Sequence, residues 1–252
     1  IARFPTVILN FFKRYGIVTE KDVDVILDGS GFAYGQQWGT KSLIHAEKEL
    51  KRFQTLGKKY VFLPQAFGPF EQQEYKTLAK SIFTKATLVF PRDSDSFDGI
   101  LNCGISTSKN KHIIQSPDFT CLVEPKLYPA VNNGNDESIG QRPKTVCFIP
   151  NNKMVSTFYH DKANTDKQSY LNFYIETGKY YQSLGWDISI LNHEGEEDHQ
   201  ICREIAKNLN LSESQAIKEG YTALEIKAYI GSLDAVVSSR YHGCVSALSQ
   251  GV

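Results

Sequence analysis

The stretch SRYHG places Arg240 and His242 directly after a hydrophobic run and directly before an apolar helical pattern. Both residues therefore lie at a strand-to-helix turn, where the first N–H groups and the positive end of the helix attract anions. A guanidinium binds carboxylate or phosphate through two parallel hydrogen bonds, and a histidine exchanges a proton near neutral pH. The pattern predicts a site for a phosphorylated or carboxylated substrate. The alternative is a capping arginine beside a packed histidine.

A second arginine follows another hydrophobic run, in the stretch FPRDSDSF. Arg92 is placed at the exit of the predicted strand, and Asp93 and Ser94 are good caps for the helix after it. The planar guanidinium makes Arg92 a candidate anion contact. A structural ion pair between Arg92 and an aspartate is the alternative.

Two glycine-containing loops also follow predicted strands, in DGSGFAYG and PQAFGPF. The glycine spacing of the first does not match G-x-G-x-x-G, so an anion-binding nest of N–H groups and a simple tight turn both stay open. In the second loop glycine and proline fix the turn, and a glutamine offers its amide to a cleft. The aromatic residue of the first loop is the candidate for stacking on a sugar. The candidate residues of these loops are Gly29, Ser30, Gly31, Trp38, Gln65 and Gly68.

The acidic stretch NHEGEEDHQ contains two histidines, but it is not the H-E-x-x-H pattern of zinc sites. A helix would not place His193 and His199 on one face, so the sequence favours an acidic helix start over a metal site. Either Asp198 or His193 is also a candidate to reach a sugar acceptor in a cleft.

Short apolar runs rich in β-formers alternate with longer amphipathic runs along the chain. This order predicts an α/β fold with parallel sheets and helices packed on them. In such folds ligands bind at the carboxyl ends of the strands, where all of the candidate residues are placed. The predicted strands are 23–29, 59–65, 87–93, 111–118, 145–151, 186–193 and 234–240. The predicted helices are 42–57, 71–86, 94–104, 167–185, 196–209, 222–233 and 241–252.

The alternation stops between residues 124 and 144, which are rich in Pro, Asn and Gly. This composition predicts a linker at 126–143 between an N-terminal domain, 1–125, and a C-terminal domain, 144–252. We expect each domain to be a Rossmann-like, doubly wound unit. Because both ends of the sequence are apolar and no initiator Met is present, we interpret the chain as truncated at both ends.

Composition excludes several classes of protein. Lys+Arg and Asp+Glu are both 28 in the 252 residues, so the basic excess of a nucleic-acid-binding protein is missing. No apolar run reaches the 18 residues that a membrane span needs. The five cysteines form no C-x-x-C pair, which favours buried thiols in a reducing cytoplasm.

Taken in order, five segments resemble the polysaccharide pyruvyl transferases. They are DVILDGSGFAYGQQWG, LPQAFGPF, FPRDSDS, SPDF and IGSLDAVVSSRYHGCVSALSQGV. Family members show a Gly-rich turn, then Gln-x-x-Gly-Pro, then Arg-Asp-x-x-Ser, and finally Arg-x-His before a helix that runs into Gly-Val-Pro. This chain departs from the family in the triplet Gly29-Ser30-Gly31, in lacking an early Gly-Asp loop, and in ending before the final proline.

The resemblance implies a fold similar to the two-domain glycosyltransferase B type. It also implies transfer of pyruvate from phosphoenolpyruvate to a sugar of a cell-envelope polysaccharide or exopolysaccharide, forming a cyclic ketal. His242 would then transfer a proton, with no metal or other cofactor. We expect a cytoplasmic protein, which a lipid-linked glycan acceptor would bring to the inner membrane face as a peripheral protein. The residues that would bind the donor are Arg92, Arg240, Tyr241 and Gly243.

Two other functions are compatible with the same residues. A glycosyltransferase of this fold class would use a nucleotide-sugar donor instead of phosphoenolpyruvate. A glycan- or anion-binding module would bind without turnover, and replacing His242 would leave its affinity nearly intact. Fold likeness alone does not separate these functions, because function depends on the site.

Overall fold

The structure is a computed structural model that describes residues 11–106, 108–125, 143–155 and 166–252. These residues form two compact units that divide between Phe119 and Thr120. Each unit is built on a parallel sheet with helices, so the α/β prediction is confirmed. Of the linker predicted at 126–143, only Pro143 is among the described residues, and residues 126–142 lie outside them.

The first unit contains a three-stranded sheet in the order β1-β2-β3, with all neighbours parallel. Its strands are β1 (Val25–Asp28), β2 (Lys59–Gln65) and β3 (Leu88–Pro91). Its helices are α1 (Lys41–Thr55), α2 (Gln73–Phe83) and α3 (Ser94–Leu101).

The core of the first unit lies between one face of this sheet and the helices. In α1, Leu43, Ala46 and Leu50 recur at the spacing of one helical face, and all three are buried. They share a core cluster with Phe62 of β2, which is also fully buried. On the opposite face Leu27 of β1 is 62% exposed. The described helices of this unit therefore pack on one side of its sheet.

The second unit contains a four-stranded parallel sheet in the order β6-β5-β4-β7. Its strands are β4 (Thr145–Ile149), β5 (Asp187–Leu191), β6 (Ile217–Lys218) and β7 (Ala235–Ser238). Its helices are α4 (Lys167–Ser183), α5 (Gly195–Asn208), α6 (Glu213–Ala216), α7 (Ala223–Gly231) and α8 (Tyr241–Leu248).

Helices cover both faces of this second sheet. Successive side chains of a strand point to opposite faces, so Val146 and Phe148 of β4 join a core cluster formed with α4 and α5. The intervening Cys147 and the following Ile149 join a second cluster formed with α7 and α8. This unit is doubly wound, as the sequence predicted.

One predicted strand is wrong. Residues 111–118 run beside β3, with Ile113 bridged to Val89 and Ser116 N–H donating to the Pro91 carbonyl, but they form no strand. Pro117 interrupts the run, because it has no N–H to give to a ladder. Sequence analysis also missed β6 and α6, which are two and four residues long and too short to show a period.

The strand order determines where a ligand site is expected in the second unit. From β4 the chain passes outward to β5 and β6, and it then returns to place β7 on the other side of β4. The carboxyl ends of β4 and β7 therefore flank a topological switch point, the usual ligand position in such sheets. In the described part of the chain, no helix is long and apolar enough to cross a bilayer.

Candidate functional site

Arg240 lies at the switch point of the second unit, as the residue that precedes α8. Its side chain is 10% exposed and forms ion pairs with Glu194 through Nη1 and with Asp198 through Nη2. Asp198, in the first turn of α5, is almost fully buried and also accepts a hydrogen bond from Asn152 N–H at 2.9 Å. The guanidinium is therefore fixed by a buried carboxylate from the neighbouring helix.

The start of α8 packs closely against β7. The N–H of Arg240 donates to Ser238 Oγ at 3.0 Å, and the Ser238 hydroxyl donates to the Arg240 carbonyl at 3.0 Å. A Cβ added to Gly243 would lie 2.5 Å from Ser238 Oγ and 3.1 Å from Ile149 Cδ1. Glycine at this position therefore allows the first turn of α8 to approach the strand end that carries Arg240.

Two predicted histidines occupy the same edge. His193 follows β5 and is partly buried; burial lowers its pKa, and the charges of Arg240 and His242 lower the pKa further. His242 is exposed in the first turn of α8, and its ring centroid is 5.4 Å from that of Tyr241, which is 44% exposed. The structure thus brings His193, Asp198, Arg240 and His242 together in the second unit.

Glu194 is the more accessible of the two carboxylates that contact Arg240. Its side chain is 54% exposed and also pairs with Lys153 Nζ at 3.3 Å. Burial acts to raise the pKa of Glu194, but the hydrogen bond and charge of Arg240 outweigh burial and lower the pKa overall. Sequence reasoning read this glutamate only as part of an acidic helix start.

Tyrosines of α4 support the chain just before Arg240. The hydroxyl of Tyr170 lies 2.5 Å from Ser239 Oγ and accepts a hydrogen bond from Asn151 N–H at 2.8 Å. Tyr174, which is 1% exposed, donates to Ser239 Oγ at 3.2 Å. These contacts join the ends of β4 and β7 to α4, and nothing in the sequence pattern separates these tyrosines from core residues.

In the first unit, Arg92 is held in an ion pair. Its Nη1 lies 3.2 Å from Asp118 Oδ2, and the two side chains are 9% and 3% exposed. A second carboxylate, that of Asp93, lies 3.7 Å from Nε. Asp93 also accepts a hydrogen bond from Ser96 N–H at 2.7 Å as the N-cap of α3. The structural alternative named for Arg92, an arginine–aspartate pair, is present.

The glycine-rich loop after β1 closes on a buried carboxylate. Asp28 accepts hydrogen bonds from the Ser30 N–H at 3.1 Å, the Ser30 hydroxyl at 2.7 Å, Tyr34 at 2.6 Å and Tyr60 at 2.9 Å. Burial, reinforced by Asp28, raises the pKa of both tyrosines, so they are protonated donors. The N–H and hydroxyl of Ser30 are therefore used within the loop.

The predicted glycines of this unit differ in their backbone conformation and in the space around them. Gly31 and Gly68 have φ of +73° and +88°, a conformation that favours glycine, and the Gly68 N–H donates to the Tyr34 carbonyl at 2.8 Å. Gly29 has room for a side chain, since an added Cβ would lie 3.6 Å from Leu63. Two of these glycines therefore serve loop geometry.

The other two predicted residues of the first unit have contrasting surroundings. Gln65 is fully buried, and its Nε2 donates to the Asp28 carbonyl at 3.0 Å, so the amide joins β2 to β1 instead of facing solvent. Trp38 is 38% exposed and packs edge-on against Phe32, with ring centroids 6.1 Å apart. Trp38 keeps an accessible ring.

The acidic stretch after β5 holds a different pairing from a metal site. His199 Nδ1 lies 2.6 Å from Glu219 Oε2. Among the described residues, no three His, Cys, Asp or Glu side chains are grouped to hold a metal ion. The expectation that no metal or other cofactor is needed stays a prediction.

The chain is similar to one known family and to solved structures. The family model described as polysaccharide pyruvyl transferase matches residues 3–252. No curated protein matches the chain. Among solved structures, the UDP-GlcNAc 2-epimerase from Methanocaldococcus jannaschii is similar, with 13% identity and a TM-score of 0.48. The alignment covers 83% of this chain and 63% of that one, so the chain spans less than two thirds of the length of that structure.

Proposed function

This chain belongs to the polysaccharide pyruvyl transferase family, a family of transferases, and from that premise we propose that it transfers pyruvate from phosphoenolpyruvate to two hydroxyls of a sugar. One hydroxyl adds across the enol double bond, as its oxygen bonds to the central carbon and a proton goes to the methylene carbon. The second hydroxyl then displaces phosphate from the same carbon and loses its proton. The products are a cyclic pyruvate ketal and inorganic phosphate.

The observation that carries this proposal is the arrangement of Arg240 between a buried and an exposed carboxylate. Asp198, which is buried, holds Nη2 of the guanidinium. Glu194 contacts Nη1, and its side chain is 54% exposed. Glu194 thus marks a position where a carboxylate fits against Arg240 at the surface. We propose that the carboxylate of the donor exchanges with Glu194 there, with the N–H groups of the first turn of α8 beside the phosphate.

Two histidines supply the proton transfers in this proposal. The lowered pKa of His193 keeps its ring neutral at neutral pH, so it can accept a proton from a sugar hydroxyl. His242, exposed on the first turn of α8, is assigned to protonate the methylene carbon of the donor. Proton transfer by a positioned side chain accelerates reactions by roughly 10²–10⁴-fold.

The remaining predictions keep their place in the proposal. Tyr241 and Gly243 form the helix start beside the donor. The expectation that Arg92 of the first unit contacts an anion stays a prediction, since its guanidinium is paired with the buried Asp118. The acceptor is a glycan or a lipid-linked precursor, which would bring a cytoplasmic enzyme to the inner membrane face. No cofactor is assigned, because neither bond-forming step needs a redox or Lewis-acid partner.

The first test is a thermal-shift titration with phosphoenolpyruvate, UDP-sugars and inorganic phosphate. A ligand that binds only the folded state raises the midpoint of unfolding, so phosphoenolpyruvate should raise it. Arg240→Lys keeps the charge but loses the planar fork, and it should remove most of the shift. Lys153→Arg, at an exposed neighbour of Glu194, is the control and should retain it. A shift with UDP-sugars alone would instead favour a glycosyltransferase.

The second test separates catalysis from binding. His242→Gln should lower the rate of phosphate release with a saccharide acceptor by about 10²–10⁴-fold and leave the thermal shift with phosphoenolpyruvate in place. His45→Gln, at an exposed position of α1 in the first unit, is the matched control. Equal rates for His242→Gln and the parent protein would contradict the assignment of this histidine, and binding without turnover in the parent would favour a binding module.

A further inference from the structure

A cavity lies beside the group formed by His193, Asp198, Arg240 and His242, along the same edge of the second sheet. It has a volume of about 310 Å³ and covers the ends of β5 and β6, with walls formed in part by Asn192, His193, Glu219, Gly220 and Tyr221. This volume lies at the lower end of the range of about 300–1,000 Å³ for small-molecule sites. Of these wall residues, sequence analysis selected only His193.

Hydrogen bonds fix two polar groups of the cavity wall. Asn192 Nδ2 donates to Glu219 Oε2 at 3.1 Å, and His199 Nδ1 lies 2.6 Å from the same oxygen. These contacts orient a carboxylate whose side chain is still 51% exposed. On the other side of the Asn192 amide, Oδ1 is buried and has no hydrogen-bond partner within the described ranges of the chain. Because a ligand in the cavity cannot reach this buried oxygen, the Asn192 amide serves the wall through Nδ2, which orients Glu219.

The charge of the wall selects against anions. The hydrogen bond from Asn192 lowers the pKa of Glu219, which is therefore ionised near neutral pH. Burial lowers the pKa of His193, so this ring is neutral there. No lysine or arginine is among the described residues that line the cavity. A phosphate or carboxylate would meet Glu219 without a lysine or arginine in the cavity wall to pair with, whereas hydroxyl groups would donate to the Glu219 carboxylate.

We infer that this cavity binds a single neutral sugar ring, which donates two adjacent hydroxyls to the two oxygens of the Glu219 carboxylate. This inference rests on the proposed function for one point only, that the ring belongs to the acceptor. His193 lines the cavity and is also within electrostatic reach of Arg240 and His242. A sugar held by Glu219 would therefore lie next to the histidine assigned to accept the hydroxyl proton.

The binding experiment needs no donor. The whole chain is titrated with the methyl glycosides of glucose, galactose and mannose, and separately with uridine and guanosine, by ligand-observed NMR. At least one methyl glycoside should bind saturably, and Glu219→Gln should weaken it about tenfold, because a hydrogen bond to a charged group is lost. Glu213→Gln is the matched control, since the Glu213 side chain is 55% exposed and also ion-paired. It should leave binding unchanged.

A second variant guards against misfolding. Asn192→Ser removes the amide that donates to Glu219 Oε2 and keeps a small polar side chain, and it should also weaken binding of the same glycoside. Both variants should unfold at nearly the midpoint of the parent protein by circular dichroism. If no methyl glycoside binds the parent, or if both variants bind as tightly as Glu213→Gln, the inference is overturned. If only uridine or guanosine binds saturably, the two hydroxyls belong to a ribose, and the inference that the cavity binds a saccharide is overturned.

Activity then separates this inference from the proposed function. If the parent turns over phosphoenolpyruvate, Glu219→Gln should raise the KM for the acceptor about tenfold and leave the KM for phosphoenolpyruvate unchanged. Glycoside binding that depends on Glu219, without any turnover of phosphoenolpyruvate, would retain the cavity and reject the pyruvyl transfer. Turnover with an unchanged acceptor KM in Glu219→Gln would retain the transfer and reject the cavity as the acceptor site.

Discussion

Each unit holds an arginine that follows a strand and pairs with a buried aspartate, but the two arginines differ in what they can bind. Arg92 follows β3 and pairs with the buried Asp118, and Arg240 follows β7 and pairs with the buried Asp198. The side chains of the arginines are 9% and 10% exposed, so burial does not distinguish them. They differ in the second carboxylate of each, Asp93 or Glu194.

That second carboxylate decides what each arginine can do. Asp93 is committed to the N-terminus of α3 by its hydrogen bond from Ser96, so its position is set by the helix. Glu194 makes its other contact with the exposed Lys153, and water can replace that contact at small cost. An arginine after a strand is therefore a candidate ligand site only where one of its partners can leave.

The largest expected effect tests what the two arginines share. Asp118→Ala and Asp198→Ala each leave a buried guanidinium short of its main partner, and each should lower the free energy of unfolding by about 3–5 kcal/mol. Asp24→Ala, at a side chain that is 94% exposed, is the control and should change it by less than about 0.5 kcal/mol. Urea denaturation followed by circular dichroism measures all three. A loss below about 1 kcal/mol at either buried aspartate would break the parallel between the units.

The next effect tests the difference between Arg92 and Arg240, which is the second carboxylate that each one contacts. Glu194→Gln removes the carboxylate that competes for Arg240 and should tighten phosphoenolpyruvate binding about two- to fivefold, as expected for an exposed charge pair. Asp93→Asn keeps a capping side chain for α3 and should leave the affinity unchanged. Calorimetric titration measures both. Tighter binding by Asp93→Asn as well would show that Arg92 exchanges its partner too.

The smallest effect concerns the histidine that accompanies only Arg240. Because the folded protein lowers the pKa of His193 below its ordinary value of 6.5, the unfolded chain binds the proton more readily. Stability should therefore fall as pH drops from about 7.5 to about 5.5, through the unfolded pKa of His. His193→Gln should flatten this dependence, whereas His45→Gln, at an exposed position of α1, should not. Parallel pH curves for the two variants would remove His193 as the cause.

Sequence reasoning located strands and helices well where the hydrophobic period was long. The helix predicted at 42–57 is α1, and the strand predicted at 59–65 is β2 with the same bounds. It failed where pairing depends on the partner strand, as at 111–118, which contributes one bridge. The family resemblance stated from ordered motifs is confirmed over residues 3–252.

The candidate site was predicted unevenly for a physical reason. Arg240, His242, His193 and Asp198 all lie just after strands or in the helix turns that follow them, so the α/β pattern alone brought them to one edge. Glu219 was missed because it follows β6, whose two residues leave no periodic signal. Asn192 directly follows β5, but its role depends on its contact with Glu219, which no local pattern encodes.

The close approach of Gly243 to Ser238 has a consequence for mutational screens. A methyl group at position 243 would collide with the hydroxyl that holds the backbone of Arg240, since the added Cβ would lie 2.5 Å from it. Gly243→Ala would thus shift the arginine without removing any group that can touch a ligand. A screen scored by activity alone would rank this glycine beside the true contact residues, and only a structure of the variant would tell displacement from lost contact.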